Sequence, residues 1–278
     1  MSPTRVLASV FALLLAALPA RAAEEKPAAI PAAGDAAAEA LKASPRHGEW
    51  ADIAIPGTDA KLHTWVVYPE RKDKAPVVIV IHEIFGLTDW VRAVADQLAA
   101  EGFIAVAPDL LSGKGSNGGG TDAFAGDAVR DAIRKLTPDE VATRLDAARA
   151  HALAFPAAAP DRSATIGFCW GGTASFAYAT RQPKLNAAVV YYGTAPTDQA
   201  ALAKIECPVL GCYGGNDARV TATVEPTTKA MNDAKKPYAP HVYEGAGHGF
   251  LRQQSGVNLK AAQQAWAQTI AFLKKAMG

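Results

Sequence analysis

The chain has 278 residues, 50% of them hydrophobic and 20% charged, with 28 basic and 27 acidic side chains. A charge balance this close to zero excludes a basic nucleic-acid binder and an acidic tail protein, and half apolar content excludes global disorder. Three cysteines are too few, and odd in number, for a disulfide framework.

Residues 1–22 read as a signal peptide. Arg5 gives the positive start, Val6 to Leu18 is an apolar run too short to span a bilayer, and Ala20-Arg21-Ala22 suits cleavage after Ala22. Cleavage removes Arg5 and Arg21 and leaves 26 basic against 27 acidic side chains. No other stretch approaches the ~18 apolar residues of a membrane span. The mature protein is therefore expected to be secreted or periplasmic, not membrane-embedded, and a monomer. Residues 23–45, rich in Ala, Pro, Glu and Lys, read as a disordered linker. Residues 46–278 read as one domain.

Within that domain, Trp50–Ile55 and Leu62–Tyr68 are β-rich runs separated by Pro56-Gly57-Thr58-Asp59, which suits a hairpin. Val77–Ile81 is a continuous β-branched run, the pattern of a strand buried on both faces of a parallel sheet. Thr88 is the expected N-cap of a helix that Gly102 ends. Phe103–Ala107 reads as the next strand. The Gly-rich stretch Ser112–Gly120 reads as irregular and mobile, with a short helix near Ala128–Lys135. Thr137-Pro138-Asp139-Glu140 carries a capping box with Pro at the first helical position, opening a long helix to about Phe155. Strands Ala164–Phe168, Ala187–Tyr191, Val209–Tyr213 and His241–Tyr243 then alternate with helices Gly172–Thr180, Ala222–Ala234 and Leu259–Met277. Such alternation predicts an α/β domain with a mostly parallel sheet covered on both faces.

The sharpest chemical signal is Gly167-Phe168-Cys169-Trp170-Gly171-Gly172, between a strand and a helix. It is a nucleophile elbow with Cys in place of the usual Ser. A helix N-terminus beside the sulfur favours a thiolate. In such a fold an acid and then a His follow in chain order. Asp217, in Gly214-Gly215-Asn216-Asp217, and His248, in Gly245-Ala246-Gly247-His248-Gly249-Phe250, both stand in loops after strands. His82-Glu83-Ile84-Phe85-Gly86 follows Val77–Ile81, the loop that supplies one oxyanion-hole N–H. That N–H is assigned to Ile84, and the second to Trp170. Glu83, a carboxylate at the mouth of a core strand, needs a task to offset its desolvation; control of the Cys169 proton is one.

Together with Pro108-Asp109-Leu110, Tyr191-Tyr192-Gly193 and Gly247-His248-Gly249-Phe250-Leu251-Arg252, these segments resemble the dienelactone hydrolase family, a cysteine-using branch of the α/β-hydrolase fold. The resemblance runs from about Gly48 to the C-terminus. It implies a triad of Cys169, His248 and Asp217, a Glu83 that keeps the thiol unreactive until a substrate carboxylate displaces it, and Arg252 and Tyr192 as substrate contacts. The family's dienelactone-specific members carry a second Arg shortly after Pro-Asp-Leu; here only Lys114 stands there. The expected function is hydrolysis of a small, carboxylate-bearing ester or lactone through an acyl-enzyme, with no metal, cofactor or nucleic-acid partner. Two rivals are an exported thiol redox protein and a non-catalytic binding module. The first suffers from the lack of a Cys-x-x-Cys pair. Cys207 and Cys212 would lie roughly 16 Å apart in an extended chain, beyond disulfide reach.

Overall fold

The computed structural model describes residues 29–278. The signal peptide expected over residues 1–22 lies outside the described residues. The linker expected over 23–45 is not irregular throughout: Ala37–Ala43 form a helix, α1, with Ala37 fully buried. An Ala-rich segment is a good helix former, and α1 finds a partner in α2 (Asp89–Ala100).

Eight strands form one sheet: β1 (Gly48–Ala54), β2 (Lys61–Val67), β3 (Ala75–Ile81), β4 (Ile104–Pro108), β5 (Ala158–Phe168), β6 (Ala187–Tyr191), β7 (Val209–Gly214) and β8 (Tyr238–Tyr243). Their order is β1-β2-β4-β3-β5-β6-β7-β8. The first two are antiparallel, β2 pairs antiparallel to β4, and every pair from β4 to β8 is parallel. The hairpin and the parallel core are as the sequence predicts. Strand β5 starts earlier than its apolar run, because Ala158 pairs with Ala75 across an irregular stretch.

Alternation along β3 sorts the core into two layers. Val78 and Val80 face α2 and the C-terminal α9 (Val257–Met277). Val77, Ile79 and Ile81 face α4 (Pro138–Leu153) and α5 (Trp170–Ala179). All seven residues of β3 are buried, as a strand covered on both faces requires. Three short helices, α3 (Ala128–Arg134), α6 (Gln199–Leu202) and α7 (Ala218–Thr221), and α8 (Val224–Asp233) complete the order. The capping box of α4 is present in full: Glu140 N–H donates to Thr137 Oγ1, and Thr137 N–H to Glu140.

The chain moves from β3 to β4 on one side, then returns to place β5 on the other. The loops after β3 and β5 therefore diverge from the same point of the sheet. In open α/β sheets a ligand crevice forms at that switch point, beyond the strand C-termini.

The Gly-rich stretch is irregular, as expected, but it is tied down. Two 3-10 turns, Ser116–Gly118 and Thr121–Ala123, lie within or just after it. Asp109 accepts from Thr121 N–H at 2.6 Å and Thr121 Oγ1 at 2.8 Å, and Thr121 Oγ1 accepts from Leu87 N–H at 3.0 Å. Buried Arg144 donates to the Ser112 carbonyl at 2.7 Å. Among the described residues no helix is long and apolar enough to cross a membrane.

Candidate active site

Cys169 stands between β5 and α5 with φ 55° and ψ −116°, a conformation that strains any residue other than Gly. Its N–H donates to the Tyr191 carbonyl at 3.0 Å, holding the turn against β6. The elbow glycines answer to space. A Cβ on Gly167 would lie 1.9 Å from the Gly171 carbonyl oxygen, and one on Gly171 would lie 2.3 Å from that of His82. The second contact presses the elbow onto the loop after β3.

Asp217 follows β7 and His248 follows β8. Asn216 N–H donates to the Ala246 carbonyl at 2.9 Å and Asn216 Nδ2 to that of Gly245 at 3.0 Å, so the two loops are pinned together. His248 Nδ1 and Asp217 Oδ2 are 2.5 Å apart. The carboxylate accepts, which places the proton on Nδ1 and leaves Nε2 free to take one. Asp217 is buried and His248 partly open, with its ring 5.0 Å from that of Tyr192.

His82 plays no part in this chemistry. It is fully buried; its Nδ1 donates to the Glu83 carbonyl at 2.8 Å and its Nε2 accepts from Leu110 N–H at 3.2 Å. Both nitrogens are spent on shaping the loop, and burial pushes its pKa down. The ring stacks on that of Trp170 at 5.6 Å. The backbone N–H groups of Trp170 and Ile84 face the Cys169 thiol closely enough to pull its pKa down.

Glu83 is 4% exposed. Its Oε2 is buried without a hydrogen-bond donor, with Arg252 Nε 3.6 Å away. Burial pushes its carboxyl up to about 7, against the opposing pull of Arg252. The Cys169 thiol is also pushed up, by burial and then by the Glu83 charge, while the N–H groups of Trp170 and Ile84 and the charge of Arg219 pull it down. The net direction favours the protonated thiol. The Tyr192 hydroxyl, buried and unpartnered, feels Glu83, Cys169 and Arg252. Tyr192 itself has φ 40°, a second strained position at the mouth of the sheet.

Lys114 is the one substrate contact expected from the sequence that goes elsewhere. Its ammonium pairs with Glu140 at the head of α4. Another cation stands against the Glu83 loop. Arg130, on α3, stands with its guanidinium carbon 5.0 Å from the Phe85 ring centroid, and that of Arg252 lies 4.9 Å from the same ring. Arg130 escaped the sequence reading because nothing local marks it; the tied Gly-rich stretch brings α3 to the site. All three cysteines are free, and burial pushes the Cys207 and Cys212 thiols up to about 12, so neither is poised for redox exchange.

Fold and site together define a hydrolase built on the α/β-hydrolase plan. Residues 62–277 match the model of the dienelactone hydrolase family, and the chain belongs to that family. A candidate carboxymethylenebutenolidase of Methylorubrum extorquens is 31% identical over 226 residues, covering 77% of each chain. One from Salmonella typhimurium is 31% identical over 229 residues, covering 78% of this chain and 84% of its own. A crystal structure of a candidate dienelactone hydrolase from Klebsiella pneumoniae aligns with a TM-score of 0.72 at 27% identity, over 82% of this chain and 99% of its own.

Proposed function

We propose that this enzyme hydrolyses a small ester or lactone bearing a carboxylate, with Cys169 as nucleophile and His248 and Asp217 completing the triad. The observation that carries the reading is the Glu83–Cys169–Arg252 arrangement, a buried carboxyl without a donor between a thiol and a guanidinium. Arg252 is the charge that holds Glu83 down. When a substrate carboxylate engages Arg252, that pull is neutralised and Glu83 becomes a stronger base. Glu83 then takes the Cys169 proton, and the thiolate attacks the ester carbonyl. The N–H groups of Ile84 and Trp170 stabilise the oxyanion, a term worth about 3 kcal/mol per donor in comparable sites. The C–O bond breaks, and the leaving oxygen, which in a lactone stays on the opened ring, takes up the proton that Cys169 gave to Glu83, relayed through His248 Nε2. A thioester on Cys169 remains. His248, held by Asp217, removes a proton from water, which attacks the thioester and releases the acid and the thiol.

Arg130 supports a second anionic contact across Phe85, in the role that the sequence assigned to Lys114. The residues of this reading need no metal. With residues 1–22 read as a signal peptide, the working enzyme is a secreted or periplasmic protein. The experiment is hydrolysis of p-nitrophenyl acetate and of a dienelactone by Cys169→Ala. Loss of at least about a thousandfold in kcat is expected for removal of a nucleophile; retention of full activity contradicts the assignment.

A further inference from the structure

A segment ahead of the family's matched region lies along the loop that carries Arg252. Ile30 packs on the core layer of α2 and α9, and Pro31 is buried. Gln254 Nε2 donates to the Pro31 carbonyl at 2.8 Å and also to that of Leu251 at 2.8 Å. Gly34 N–H donates to the Arg252 carbonyl at 2.9 Å. The bonds thus bracket Arg252 on both sides. Downstream, α1 anchors the segment through buried Ala37.

The contact at Gly34 reaches the side chain itself. A Cβ there would lie 2.9 Å from Arg252 Cγ and 3.0 Å from Nε, inside van der Waals contact. Only glycine lets the segment run flush along the arginine stem. That stem then aims the guanidinium at Glu83 and over Phe85. A long side chain free to explore rotamers loses entropy when it captures a ligand; one already held in place loses less.

We propose that residues 30–36 are a positioning strap. They set Arg252 in advance for an anionic substrate, with Gly34 and Gln254 as positioning residues acting through it. The preference for anionic over neutral esters is thereby fixed in part by a segment outside the family's matched region. This rests on the reading of Arg252 as the carboxylate-binding cation.

The test uses the full chain and two esters, p-nitrophenyl hydrogen succinate (anionic) and p-nitrophenyl butyrate (neutral). Wild type is compared with Gly34→Ala, Gln254→Ala and Arg252→Ala. The anionic-to-neutral ratio of kcat/KM should fall most in Arg252→Ala. In both strap variants it should fall roughly three- to tenfold, the size expected for a misplaced binding group. The loss should lie in KM for the anionic ester, with kcat on the neutral ester kept. A ratio that falls in Arg252→Ala but stays at the wild-type value in both strap variants overturns the strap. Equal losses on both esters also overturn it, since they mark support of the fold alone. A ratio unchanged in Arg252→Ala refutes the carboxylate reading, and the strap with it.

Discussion

Burying a carboxyl beside a thiol raises both pKa values, because each anion is desolvated and each opposes the other. In this protein the carboxyl of Glu83 reaches about 7 and stays within range of ordinary pH. That has a consequence for stability. A carboxyl with a folded pKa near 7, above its ordinary value of 4.5, binds more protons in the folded state than in the unfolded one. Stability therefore falls as pH rises from about 4.5 to about 7 and is level above that. Glu83→Gln removes the cost. The variant should be more stable than wild type at pH 8 by roughly 3 kcal/mol, with the gain vanishing near pH 4. Urea unfolding at the two pH values checks it; a gain that is the same at both would contradict the assignment of the charge. The same substitution removes one of the two influences that raise the Cys169 thiol. Iodoacetamide and peroxide should then modify Cys169 faster at pH 8 than in wild type, and an unchanged rate would separate Glu83 from control of the thiol.

At the scale of elements, the loops matter more than the strands that carry them. The elbow, the acid loop and the histidine loop each follow a parallel strand, and their order along the chain was legible because each has its own glycine pattern. Arg130 was not legible, since its place depends on how the Gly-rich stretch is tied back to Asp109 and Leu87 through Thr121. Lys114 looked the better candidate by position, yet its partner is Glu140, a contact made possible only by the packing of α4. The strap was likewise hidden: an Ala- and Pro-rich composition gives no sign that Gly34 lies against an arginine more than 200 residues later. Thr121→Val should free the loop from Leu87 N–H and loosen its hold on Asp109, where only the backbone N–H bond remains. The lost hydroxyl contacts leave Asp109 and Leu87 N–H less well satisfied, at a cost of about 1–3 kcal/mol. Thermal unfolding should show the loss, and KM for p-nitrophenyl hydrogen succinate should rise as Arg130 moves from Phe85. A stability loss with that KM unchanged would mean that α3 does not serve the site.

Over the whole molecule, the topology explains why these parts meet. The order of strands switches sides at β3, so the Glu83 loop and the elbow leave the sheet side by side, and the later strands add Tyr192, Asp217 and His248 along the same edge. The hairpin of β1 and β2 extends the other edge and takes no part. The chain, near neutral in charge, offers no broad field to steer an anion, so under the proposed function selection for one falls to Arg252 and Arg130. Everything proposed for this site depends on Cys169 forming the covalent intermediate. Acid-quenched intact-mass measurement during turnover of p-nitrophenyl hydrogen succinate, with peptide mapping, tests it most directly. A succinyl group on Cys169, absent from Cys169→Ala, is the predicted result. Full turnover by Cys169→Ala, or a succinyl group carried on another residue as a competent intermediate, would contradict it.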